Sequence, residues 1–234
     1  MINFKDDEIL FSTGDGLVKK GRLAQNINSF FGKIYKINID TKDYKMISMG
    51  HRNPQGLFYD NENNIITSTE HGPAGGDEIN IIKFSDKIHN YGWPISSYGD
   101  HEQGDIDIYK KRGELDKFLK EQPLHKSHSK YSFEEPIKYY RPSIGISEII
   151  KMPKNLNKNF KDYYLVASMG WHIDEGDKTL HYFKLNEDKN KIKKIGKTGI
   201  GERIRDLRYS QKNKLIVMVL ENTPSIGFIS LEDF

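Results

Sequence analysis

The feature that most constrains this chain is a repeated order of strands. The C-terminal copy is the clearest: residues 204–210 alternate apolar with polar, 211–213 supply turn chemistry, and 215–220 are continuously apolar. A break at 222–224 then leads into a further strand over 226–231. The same order recurs with strands over 55–60, 64–69 and 78–83, and again over 147–151, 163–168 and 179–184. A fourth copy opens the chain, with strands over 8–13 and 32–38. Single amphipathic strands over 44–49, 136–140 and 191–197 link the copies. Three strands plus a connecting fourth, repeated, make the blade of a β-propeller. A β-sandwich shares the short strands and turns but not the repeated order.

The expected fold is therefore all-β, a β-propeller of about four blades forming one partial domain over residues 1–234. A composition of 13 Tyr, 12 Phe and 20 Gly suits many strands and turns better than a helical bundle. Residues 100–133 read as an inserted, charged loop with a short helical pattern near 114–120. The first copy lacks a full inner strand, because residues 2–4 are too few, and the last copy lacks an outer one. The expectation is an N-terminally truncated piece of a longer propeller.

Several function classes drop out early. No run approaches the ~18 apolar residues of a membrane helix. With 36 Lys and Arg against 33 Asp and Glu, the net charge of +3 is too small and too scattered to predict nucleic-acid binding. The absence of cysteine excludes disulfides, thiolate metal sites and cysteine nucleophiles. The first residues carry no basic stretch followed by an apolar one, so the expectation is that no signal peptide lies within this chain.

Unusual residues concentrate in three stretches: Gly50 to Gly56 (GHRNPQG), Glu70 to Asn80 (EHGPAGGDEIN) and Asn90 to Pro94 (NYGWP). Glycines and a proline packed after a buried strand turn carbonyls outward, and carbonyls beside carboxylates are what Ca²⁺ selects. Asp77, Glu78 and Tyr91 add anionic or phenolic oxygen. A tight turn with solvated acids accounts for the same residues. Arg52, entering a strand before Pro54, can clamp a carboxylate. Arg203 and Arg205 lie two apart on one strand face, with Glu202 and Asp206 available to screen them. In a propeller, three arginines entering inner strands would line a common axial pocket suited to a polycarboxylate. His125 and His128 have metal-like spacing but read as a solvated loop; the 60–64 and 14–16 stretches read as turns.

Taken in order, GHRNPQGL, TEHGPAGGDEIN and NYGWP, with STGDG and GKIYKINID before them and GERIRD after, resemble the soluble sugar dehydrogenases dependent on pyrroloquinoline quinone (PQQ). This is the glucose/sorbosone dehydrogenase family. The resemblance implies a six-bladed propeller holding PQQ, a tricarboxylate quinone, on a Ca²⁺ ion. It implies oxidation of aldose sugars, with hydride passing to the quinone and an electron acceptor downstream. It implies PQQ contacts at Arg52 and Asn53, calcium held by the carbonyls of Gly72 and Pro73, and carboxylate pairing at Arg203 and Arg205. Glu78 and Tyr91 resemble ligands of a second calcium. The family's histidine base falls upstream of Met1, and neither His51 nor His71 takes its place. The chain departs from the family at 142–147 and 167–171. Relatives are usually exported, which implies a periplasmic or secreted protein. A calcium-stabilised propeller that binds a ligand or partner without oxidising it remains open beside the enzyme.

Overall fold

Turn chemistry sets the hairpins. At residues 60–64 the Asp60 carboxylate accepts the backbone N–H of Glu62 and Asn63 (3.2 and 3.3 Å), and Asn64 takes a positive φ of 51°. The segment is a hairpin turn, joining β5 (Pro54–Asp60) to β6 (Ile65–Glu70). This computed structural model describes residues 1–5, 7–16, 18–153, 160–170 and 176–230. Contacts divide the chain into two compact units, Met1–Ser143 and Ile144–Phe234.

In the first unit, one sheet is ordered β1 (Ile2–Lys5), β2 (Glu8–Thr13), β3 (Lys33–Asn38), β4 (Tyr44–Met49) and β8 (His89–Asn90). Residues 2–4, too short on the sequence reading for a whole strand, do form a strand: β1 pairs antiparallel with β2, Ile2 opposite Leu10. The second sheet is ordered β5, β6, β7 (Asp77–Lys83) and β9 (Lys138–Tyr140). All six residues of β6 are buried, although only Ile65 and Ile66 are apolar, so its Thr, Ser and Glu side chains lie in a strand covered on both faces. Leu10, Ile34, Leu57, Ile66, Ile82 and Tyr91 form the core shared by the two sheets.

The insertion differs from its sequence reading. Besides α2 (Leu115–Glu121), near the expected helical pattern, it carries a second helix, α1 (Gln103–Lys111). Its returning limb is not a projecting loop, since Gln122, Leu124 and His128 are buried.

In the second unit, one sheet is ordered β10 (Ile146–Lys151), β11 (Tyr164–Ser168), β12 (Thr179–Leu185) and β13 (Ile192–Gly199). Every residue of β11 is buried. The other has three strands among the described residues: β14 (Ile204–Ser210), β15 (Leu215–Leu220) and β16 (Ser225–Ser230). Its central strand is less covered than its apolar run predicts. Ile216 and Met218 are buried, whereas Val219 on the opposite face is 41% exposed beside Ile226 and Phe228. Trp171 and Leu231 lie outside the described residues.

Candidate functional site

The site grows from the ends of β5, β6 and β7. Register places Glu70 directly opposite Glu78 and Ser68 opposite Asn80, so four polar side chains share one face of a buried hairpin. Burying two facing carboxylates is costly unless each is hydrogen-bonded. Glu70 Oε2 lies 3.1 Å from His51 Nδ1, and His51 Nε2 lies 2.8 Å from Ser48 Oγ. Glu78 Oε1 lies 3.2 Å from His128 Nε2, and the Asn80 amide donates toward both acids at 3.5 and 3.3 Å. Ser48, His51, Glu70, Asn80, Glu78 and His128 are all buried. Burial, reinforced by the Glu70 carboxylate, pushes Glu78 well above the ordinary carboxylate range. Burial also lowers His128. Ser68 Oγ and Asn80 Oδ1 have no hydrogen-bond partner among the described residues.

Between Glu70 and Asp77 the chain folds into a tight loop. Gly72 N–H donates to Asp77 Oδ1 (3.2 Å), Gly76 N–H to the Tyr140 carbonyl (2.7 Å), and Ala74 exchanges both backbone bonds with Asp100. A side chain at Gly72 would meet the Gly76 oxygen at 2.2 Å, so only glycine closes this loop. The Gly72 and Pro73 carbonyls accept no hydrogen bond among the described residues. Tyr91 packs on His51 at 4.8 Å between ring centroids and donates its hydroxyl to the Ile81 carbonyl (2.7 Å). Burial, with Glu134 and Glu70 nearby, keeps that phenol protonated. A small cleft lined by Arg52, Gly72, Pro73, Glu78, Tyr91 and Trp93 lies here, with a volume of about 10 Å³, room for one ion or water molecule.

Arg52 borders this cleft. Its guanidinium sits 5.4 Å from the centre of the Trp93 ring, and Nη1 donates to the His71 carbonyl at 3.3 Å. Nη2 reaches Glu102 of the insertion at 2.7 Å. Asn53 Oδ1 accepts from Gln55 (3.1 Å), and its carbonyl accepts from His71 N–H. Thus the first unit brings Arg52, Gly72, Pro73, Glu78 and Tyr91 together. In the second unit, Arg203 Nη1 donates to the Met169 carbonyl (2.8 Å). Arg203 and Arg205 share one partner, Glu221 Oε2, at 3.5 and 2.5 Å. That partner is not the screening pair the sequence offered, since Asp206 turns to Arg208 (3.1 Å).

Two contributors escape the sequence reading. His128, read as solvated, is a buried partner of Glu78. Asp15 of the 14–16 stretch accepts the Trp93 indole N–H at 2.8 Å. The facing of Glu70 and Glu78 is countable from sequence, because the two acids flank the loop that joins the strands of one hairpin. Among the described residues, no three His, Asp or Glu side chains converge as a metal-binding group.

The glucose/sorbosone dehydrogenase family matches residues 1–226. An uncharacterized protein of Synechocystis is 29% identical over 238 residues, covering 93% of this chain and 52% of its own length. An aldose sugar dehydrogenase of Escherichia coli is 29% identical over 185 residues, covering 78% of this chain and 43% of its own. The crystal structure of a soluble aldose sugar dehydrogenase from Escherichia coli in the apo-form superposes with a TM-score of 0.69 at 22% identity, covering 95% of this chain and 60% of that one, a likeness of fold. A quinoprotein glucose dehydrogenase of Acinetobacter calcoaceticus is 34% identical over 89 residues, 33% of this chain and 18% of its own. The chain spans about half or less of the length of these curated relatives.

Proposed function

Because the chain belongs to the glucose/sorbosone dehydrogenase family, we propose that it forms part of a sugar-oxidising quinoprotein that holds PQQ on Ca²⁺. The observation that carries this reading is the cleft at the 70–77 loop. There a half-buried arginine stands beside two unclaimed carbonyls and a buried acid pair. The donor set fits both groups. A hard divalent cation takes oxygen ligands of this kind, and a tricarboxylate takes bidentate arginine.

In this proposal the Gly72 and Pro73 carbonyls hold the cofactor's calcium, while Arg52 and Asn53 orient the quinone's carboxylates. Arg203 and Arg205 are the carboxylate partners proposed in the second unit. Glu78, with the main-chain carbonyl of Tyr91, serves a second calcium; the Tyr91 phenol is already spent on Ile81. PQQ, when bound, supplies the two-electron oxidant for the sugar's anomeric carbon. The chain's own residues bind and orient: Trp93 backs the Arg52 guanidinium, and Asp15 fixes the indole. An aldose substrate, a separate electron acceptor and a periplasmic setting belong to the same proposal.

The test is titration of the 234-residue chain with PQQ in the presence of Ca²⁺, followed by absorbance. Each charge-assisted hydrogen bond is worth about 1.5–3 kcal/mol, so Arg52→Ala should weaken binding roughly tenfold or more. If neither this chain nor a longer protein that includes it takes up PQQ, the proposal fails.

A further inference from the structure

Lys33 is the most anomalous residue of the first unit. It sits on β3 with no accessible surface, and no carboxylate pairs with it among the described residues. Its ammonium donates instead to three carbonyls, those of Leu23 (3.1 Å), Ala24 (2.9 Å) and Phe31 (2.6 Å). Three N–H donors meet three acceptors, so the head group is saturated. Burying an ammonium without a counter-charge costs several kcal/mol even after relaxation, and burial brings Lys33 down to about 8. A methionine of similar length would fill the space without that cost. The charge therefore has a use beyond packing.

The three carbonyls all belong to the 14–32 segment, which includes the 3-10 turn Val18–Gln25. From it, contacts lead directly to the cleft. The Ala24 carbonyl accepts both the Lys33 ammonium and the Gly50 N–H (3.2 Å), two residues before Arg52. Ala24 packs against Trp93 and Leu124. Gln25 donates to the Trp93 carbonyl at 2.6 Å and exchanges hydrogen bonds with Asn90. The His51 N–H donates to Gly32, next to Lys33, and the Asp15 N–H donates to the Arg52 carbonyl at 2.8 Å. The fit around Gly32 is tight, since a side chain there would press on Ala24 at 2.5 Å and on the His51 oxygen at 2.6 Å.

We propose that Lys33 is a positioning residue for the cofactor cleft: its ammonium clamps the 23–31 carbonyls, and the clamped segment fixes the Arg52–Trp93 wall. This rests on the PQQ reading above, so the test needs one readout that does not use the cofactor. The chain has no cysteine, so Lys33→Cys introduces a single thiol that can be alkylated in the unfolded state before refolding. An aminoethyl adduct restores an ammonium at lysine length; a propyl adduct gives the same shape without charge. Trp93 emission, measured in a Trp171→Phe background, reports the wall without cofactor.

The expected result is a folded propyl protein with shifted Trp93 emission and at least tenfold weaker PQQ binding. The aminoethyl protein should recover both to near wild type. Should the propyl protein fail to fold, Lys33→Gln, which keeps two N–H donors without charge, takes its place with an intermediate change expected. Wild-type emission and affinity in the folded neutral variant would overturn the proposal. If wild-type protein binds no PQQ, alone or within a longer protein that includes it, the PQQ reading fails by itself, and the emission still decides the role of Lys33: a shift rescued by the aminoethyl group supports it, and no shift overturns it.

Discussion

Replacing Glu78 by Gln tests the buried acid pair from both sides. Facing residues of an antiparallel pair place their side chains about 5 Å apart. At that separation and an effective dielectric near 20, two carboxylates repel by about 3 kcal/mol. Burial and the Glu70 carboxylate together push Glu78 upward, so part of this repulsion is relieved wherever Glu78 holds its proton. A raised folded-state value means that the associated stability is present below the unfolded carboxylate range and is lost as pH rises through the folded value. Without calcium, wild-type protein should therefore lose stability on going from acid to neutral pH. Glu78→Gln should lose less, and should melt a few degrees higher at neutral pH, since 1 kcal/mol moves the transition by about 2–4 °C in a chain of this size. Calcium should reverse the order. At a hundred times its dissociation constant an ion bound only to the folded state contributes about 2.7 kcal/mol, or roughly 5–10 °C. Wild type should gain that shift and Glu78→Gln should not. Thermal melts by circular dichroism at pH 5 and 7.5, with EDTA or Ca²⁺, read all arms. An equal calcium shift in both proteins refutes a calcium role for Glu78. A calcium-free variant melting below wild type at neutral pH refutes the repulsion argument.

Glu102→Gln should strengthen PQQ binding a few-fold, because Glu102 is the carboxylate that now occupies Arg52 at 2.7 Å; absorbance titration reads this, and unchanged affinity would mean the pair is open already. In the second unit, burial alone would raise Asp177, but Thr179, His181, Lys197 and Ser168 together bring it down to about 2. A depressed value gives stability that is present above the unfolded carboxylate range and lost as pH falls from about 4 to 2. Denaturant melts of Asp177→Asn should accordingly lack about 1–2 kcal/mol of the wild type's loss over that range, and parallel acid profiles would remove Asp177 from the account.

Strand periodicity is legible because it depends on neighbours in sequence. The 44–49 and 204–210 patterns match β4 and β14 to the residue, since alternation of apolar and polar side chains is set by the pleat itself. The helix α1 is not legible for the converse reason. None of its residues is buried, so it displays no apolar stripe, and its charged sequence resembles a loop. β15 shows a third case. Its continuous apolar run reads as burial on both faces, but a sequence does not state what covers each face, and here Val219 remains exposed.

The site divides along the same line. Loop chemistry is local, so the glycine-rich 70–77 segment and Arg52 stand out from their neighbours in sequence alone. The buried network is not local: Ser48, His51, Glu70, Asn80, Glu78 and His128 come from three stretches of chain, and His128 arrives through an insertion whose path no periodicity specifies. Part of that network is nevertheless within reach. Once β6 and β7 are read as one hairpin, counting outward from the loop puts Glu70 opposite Glu78. Two acids facing each other on a strand face that also carries Ile66 and Ile82 cannot both sit in solvent without drawing those buried isoleucines toward it. Such a pair must find donors or a cation, and histidines or amides must be drawn from elsewhere in the chain. Lys33 follows the same logic with the sign reversed. It interrupts the start of β3, whose next two residues, Ile34 and Tyr35, are buried, and a cation at that position has to be met by oxygen. Charged residues inside buried strands are therefore the most informative departures from the repeat, because each implies a partner that periodicity does not supply.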